Sequence, residues 1–194
     1  AAGVGVLVSM DKDGFTGRVD MASTSSLTIN DSAYTLISTK AELQTMASGN
    51  FALANNLTLT VSDPAVANFT TISTFTGNFN GLGHVITGMH VATLGMISTA
   101  AALSDVRNIG LENGLVDSAA AASGGLIGSG TSGNISNSYN TGDVNGAAKT
   151  GGLVGTLDTG TITNSFSTGD VTGAAEMGGL IGYLLSGIVM NSYS

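Results

Sequence analysis

A gapless repeat of 27 residues constrains this chain more than any other feature. Gly124-Gly125-Leu126-Ile127-Gly128 recurs as Gly151-Gly152-Leu153-Val154-Gly155 and again as Gly178-Gly179-Leu180-Ile181-Gly182. The same offset carries Ile135 to Ile162 to Val189, and Ser138 to Ser165 to Ser192. Gly142-Asp143-Val144 matches Gly169-Asp170-Val171. Each unit holds short strand-compatible runs separated by Gly, Asn, Ser or Thr, with no helical periodicity. A run that short cannot bury its apolar side alone, but stacking one unit on the next pairs each strand with its own copy. The expected fold is therefore all-β, a right-handed parallel β-helix (solenoid) of about 7–9 coils, with neighbouring coils about 4.8 Å apart.

Register then assigns roles. Asn137, Asn164 and Asn191 are expected to form a structural ladder, each side-chain amide bonding the next. Tyr139, Phe166 and Tyr193 are expected to stack as a parallel aromatic column. Leu126, Leu153 and Leu180 fill the interior, with Ile135, Ile162 and Val189. Gly supplies positive φ at corners and lets backbone turns approach closely. Looser copies lie upstream, at Leu94-Gly95-Met96-Ile97 and Val106-Arg107-Asn108, and strand-period alternation marks Leu27–Ile29 and Leu57–Val61. One segment reads as helix, near residues 39–47, where Thr39 and Glu42 make a capping box and Ser48-Gly49-Asn50 follows. Three regions result: residues 1–30 as N-terminal strands, a cap or preceding coils; 31–123 as irregular coils with the helix; and 124–194 as regular repeats. Ser194 falls inside the third unit, so the chain reads as an internal piece of a longer protein.

Composition removes whole classes of function. The 5 Lys and Arg against 13 Asp and Glu give a net charge of −8, which denies nucleic acid the basic face it needs. An anionic membrane surface is disfavoured for the same reason. Without Cys there is no disulfide framework, and 2 His supply no His/Cys zinc site. The apolar start, Ala1 to Met10, lacks a basic leader region and is too short to span a bilayer.

The Gly-Gly-Leu-(Val/Ile)-Gly runs, followed by Ile-x-Asn-Ser-Tyr and Thr-Gly-Asp-Val, resemble the GLUG-type repeats of large bacterial exoproteins. Upstream, Tyr34–Ile37, Glu42-Leu43, Asn50–Leu53 and Phe75–Ile86 follow an order similar to the repeat region of filamentous-haemagglutinin-like adhesins, which are exported by two-partner secretion. The resemblance covers residues 27 to 194. It implies a β-helical shaft, secretion to the bacterial cell surface through an outer-membrane transporter, and a role in adhesion to a host or bacterial receptor or glycan. It carries over no catalytic residue and no cofactor.

The remaining candidates for chemistry are weak. Asp11-x-Asp13-Gly14 opens like a calcium loop, but the twelfth position, which an EF-hand fills with Glu, is Ala22. Asp143 and Asp170 stack in register, as an acid pair, a calcium site or exposed turn residues bonding local backbone; the last is expected. Lys149 and Glu176 share a register and are expected to pair. His84 and His90 read as surface or turn residues. Four glycosylation sequons begin at Asn30, Asn56, Asn68 and Asn134. No Gly-x-Ser-x-Gly elbow stands between a strand and a helix. The expectation is a structural and adhesive segment without catalytic, cofactor or metal residues, monomeric or weakly associated end to end. The alternatives are a β-helical carbohydrate-active enzyme or carbohydrate-binding module, for which cations are too few, and an ice-binding solenoid. The latter needs a Thr ladder, yet Thr161 aligns with Asn134 and Ile188.

Overall fold

The computed structural model describes residues 10–11, 14–59 and 66–194. Asp13 of the calcium-like turn and the end of the Leu57–Val61 alternation lie outside the described residues. Strands stack in parallel along the chain, each pairing with its counterpart one unit away. On the first face, Phe51 pairs with Phe79, Phe79 with Val106, Val106 with Ile135, Ile135 with Ile162, and Ile162 with Val189. The steps between these partners are 27 to 29 residues, which makes about five full turns of a β-solenoid. A second face stacks His90–Val91, Leu115–Asp117, Asp143–Asn145 and Val171–Thr172. A third stacks Ala122–Gly124, Lys149–Gly151 and Met177–Gly178. On the fourth, Ile72, Ile97, Ile127, Val154 and Ile181 follow one another.

The turns number about five, not 7–9, because residues 14–29 add none. Leu27–Ile29 pairs antiparallel with Ser32–Ile37 around Asn30 and Asp31, both at positive φ. That two-residue reversal sends the preceding chain back along the outside of the stack. Val19 N–H donates to the Leu82 carbonyl at 3.0 Å, and Met21 N–H to Ala54 at 2.9 Å. Phe15 reaches Tyr139, with ring centroids 5.3 Å apart. Residues 14–29 thus form a strap across successive coils. Its Val19, Met21, Leu27 and Ile29 close a small outer cluster over Tyr34, Ala52 and Leu82.

The helix is Lys40–Gln44 and sits inside the first, short turn between Ser32–Ile37 and Ser48–Leu53. Its capping box is formed: Glu42 N–H donates to Thr39 Oγ1, and the Glu42 carboxylate accepts the Ser38 and Thr39 N–H groups at 2.7 and 3.0 Å. Those backbone bonds, Ser38's first, hold the Glu42 carboxyl below its ordinary pKa. The helix is shorter than residues 39–47 because the Thr45 hydroxyl takes the Glu42 carbonyl and strand begins again at Ser48.

The interior is one apolar cluster running through the coils, built from columns such as Phe79, Val106, Ile135 and Ile162. Burying each such side chain is worth about 1.5–3 kcal/mol. The third and fourth faces come much closer together. A Cβ at Gly155 would lie 2.1 Å from the Gly128 carbonyl oxygen and 2.7 Å from the Ser123 nitrogen. The repeated Gly-Gly-Leu-x-Gly run therefore lets neighbouring strands pack backbone on backbone, while Leu153 and Val154 both join the core. None of its glycines has positive φ. The left-handed corners are made instead by Asn108, Asn137, Asn164 and Asn191, at φ between 46° and 55°. At this corner of the repeats left-handed geometry is thus an asparagine role and close approach the glycine role, while Gly49, Gly83, Gly88, Gly95 and Gly130 do take the expected positive φ.

Candidate functional site

The flank where the strap meets the stack carries a run of polar contacts, and it begins with the aromatic column. Tyr139 and Phe166 stack with centroids 4.9 Å apart and 5° between planes, and Phe166 and Tyr193 at 5.2 Å and 8°. One step further along the same register stands Gly110, and a Cβ there would lie 2.4 Å from Tyr139 Cζ. The missing side chain makes room for the Tyr139 ring to reach across, and its hydroxyl donates to Glu112 Oε1 at 2.6 Å. Burial first, and the Glu112 carboxylate second, push the Tyr139 phenol far above its ordinary pKa. It is a neutral, permanent donor.

A cleft of about 300 Å³ opens here between strap and coils. Phe15, Thr16, Gly17 and Arg18 form one wall, and Asn56, Gly83, Val85, Glu112 and Tyr139 the other. Arg18 Nε donates to both carboxylate oxygens of Asp20 at 3.1 Å. Asn56 Oδ1 accepts the Val85 N–H at 3.2 Å and faces His84 Nδ1 at 3.0 Å. His84 Nε2 lies 2.8 Å from the Val19 carbonyl. Expected at the surface or in a turn, His84 instead lies in the strand Ile72–Thr87 and is fully buried against the strap. Burial lowers its pKa, against the opposing pull of the Val19 carbonyl and the Asp20 carboxylate. His90 is also buried, with its N–H donating to Asn68 Oδ1 at 2.9 Å. At His84 the strap hides what hydrophilicity alone would expose.

The asparagines expected to bond as a ladder share the corner geometry but not the bonds. Among the described residues no amide bond links Asn137, Asn164 and Asn191 to one another. The amide bonds run upstream: Asn108 donates to Asn80 at 2.9 Å, Asn137 to Asn108 at 3.3 Å, and, separately, Asn78 to Asn50 at 2.7 Å. The reason lies one residue on. Where Ser follows the corner, its hydroxyl closes it. Ser165 Oγ donates to the Thr163 carbonyl at 2.8 Å and accepts the Ser138 N–H at 3.2 Å. Ser192 does the same for Met190 and Ser165. Asn108 is followed by Ile109, so its own amide must serve. The Asn-Ser against Asn-Ile difference was the signal for this serine ladder.

Other candidates fall into local structure. Asp143 Oδ1 accepts the Asp170 N–H at 3.0 Å, a structural bond across coils. Lys149 does not pair with Glu176; its ammonium lies over the Tyr183 ring, 4.3 Å from the centroid, where the aromatic face offers a better-shaped partner. Of the four sequon asparagines, Asn30, Asn56 and Asn134 are exposed, and the Asn56 and Asn68 side chains are engaged with backbone across coils. Among the described residues no three His, Asp or Glu side chains stand close enough to hold a metal ion.

The decisive observation is the unit from Gly146 to Thr172, one full coil with the flattened glycine arm and the asparagine corner. Residues 146–172 match the GLUG motif. The GLUG unit thus corresponds to a single turn of the solenoid. No curated protein matches the chain. Among solved structures, a Bacteroides ovatus protein provisionally named an immunoglobulin A1 protease is similar, with a TM-score of 0.56 at 16% identity. The likeness covers 82% of this chain and 65% of the other, and it is a likeness of fold alone. The chain is a β-helical repeat protein carrying a GLUG motif.

Proposed function

We propose that this chain is a shaft segment of a large secreted bacterial surface exoprotein, where it serves attachment. The observation that carries the reading is the stack of in-register GLUG-type coils, in which strand pairs with strand from one coil to the next. Repetition of that kind builds length and side surface rather than a convergent reaction centre. On this reading the partners are a host or bacterial surface receptor or glycan, and an outer-membrane transporter during export. The net charge of −8 argues against nucleic acid as partner. Beads coated with the purified chain should adhere to epithelial or bacterial cells above the level of beads coated with an unrelated acidic protein. Equal adhesion would sink the proposal.

The name of the structural neighbour supports a second reading, in which such a solenoid accompanies proteolysis of immunoglobulin A1. The first reading predicts that immunoglobulin A1 stays intact on prolonged incubation with the chain. A discrete heavy-chain cleavage product would favour the second.

A further inference from the structure

We infer that the cleft between strap and coils is a binding site for a small neutral saccharide, one or two pyranose rings long. The inference rests on the adhesive reading for its purpose and on the cleft for its chemistry. At about 300 Å³ the cleft stands at the lower end of small-molecule sites, which run from about 300 to 1,000 Å³.

Three side chains of its lining keep hydrogen-bonding capacity among the described residues. Glu112 gives Oε1 to the Tyr139 hydroxyl, and its Oε2 has no hydrogen-bond partner among the described residues. Arg18 gives Nε to Asp20, and both terminal nitrogens of its guanidinium remain unbonded there. Asn56 gives its oxygen to Val85, and its NH₂ group has no hydrogen-bond partner among the described residues. One acceptor and two sets of donors, with the Phe15 ring beside them, match the vicinal hydroxyls and apolar C–H face of a sugar.

The charges of the described lining disfavour an anion. Among the described residues Asp20 pairs with Arg18, which leaves Glu112 as the unpaired charge of the lining. Acidic saccharides are thereby repelled. The acceptor is also held in place rather than swung into solvent, because Tyr139 is itself clamped between Phe15 and Phe166. Gly110 makes that clamp possible, since any side chain there would push the ring away.

The test uses the whole chain and saturation-transfer NMR with lactose, maltose and cellobiose as neutral probes, sialyllactose as the acidic one and a lysine-rich peptide as the cationic one. At least one neutral disaccharide should receive transfer. Arg18→Ala and Glu112→Gln should each weaken its binding about tenfold, the scale of one hydrogen bond to a charged group. Asp158→Ala, away from the cleft, should leave it unchanged, and circular dichroism should show all three variants folded. The inference is overturned by absence of transfer from every neutral probe, by binding indifferent to both cleft variants, or by preference for sialyllactose or the peptide. Bead adhesion that survives Arg18→Ala while disaccharide binding is lost would refute the cleft's part in attachment and spare the adhesive reading. Disaccharide binding without adhesion would do the reverse.

Discussion

At the scale of single residues, two amino acids share the corner of each coil and divide its tasks. Asparagine supplies the left-handed backbone, and the following serine closes the hydrogen bonds. Asn164 makes no side-chain bond to the neighbouring asparagines, so its value lies in conformation. Asn164→Ala should cost about 1–2 kcal/mol, the penalty of a left-handed residue with a Cβ, and Asn164→Gly should recover most of it in urea unfolding. Asn108 is the opposite case, because its amide bonds both neighbours. There Gly should fail to rescue, and both Asn108→Ala and Asn108→Gly should lose about 1–3 kcal/mol through unpaired partners. Equal behaviour of the two sites would refute the division. The repeat spacing made the corners legible, and Asn in register was the right residue to notice. Which asparagines bond each other was not legible, because that depends on side-chain direction at each corner.

Among elements, the glycine arm and the strap carry opposite lessons. The Gly-Gly-Leu-x-Gly run stands out in the sequence, and its role is close approach. Gly155→Ala would drive a methyl into the Gly128 carbonyl and the Ser123 backbone, and nothing flexible can yield there. It should destabilise the chain by about 3 kcal/mol or more, or abolish soluble expression, whereas Gly173→Ala, whose nearest neighbour is the Thr150 hydroxyl at 2.9 Å, should be far milder. Comparable losses in thermal unfolding would contradict backbone-on-backbone packing. The strap, by contrast, has no repeat to announce it. Its short apolar run fits a coil or a cap equally well, and only long-range contacts to Ala54, Leu82 and Tyr139 decide.

The strap also brings a pH dependence. Burial depresses the His84 pKa below its ordinary value near 6.5. The unfolded chain then binds the proton more readily than the folded one. The stability that neutral His84 contributes is complete above about pH 6.5 and falls as the solution acidifies through the folded pKa. The thermal midpoint should therefore drop between about pH 7 and about pH 5 more steeply in the wild type than in His84→Gln. Parallel profiles would show that His84 is not what acid acts on.

For the whole molecule, the last rung shows what stacking accomplishes. Val189 is 36% exposed where its counterpart Ile162 is 0%, and Leu184, Ile188, Met190 and Tyr193 are open with it. No charged side chain lies between Met177 and Ser194 to resist pairing. The 194-residue chain should accordingly associate with rising concentration in sedimentation velocity, and Ile188→Lys with Met190→Lys should suppress it. A wild type that stays monomeric at every concentration would show the end to be inert. The sequence by itself determined the stack: a period of 27 residues and short β runs leave parallel coils as the way to bury the apolar positions, since each strand's complement is its own repeat. Only the tertiary structure decided how many coils there are, what covers their flank, and where polar groups stay unspent. Those outcomes depend on contacts between residues far apart in sequence that share no period, as Phe15 with Tyr139, His84 with Val19, and Glu112 with the cleft.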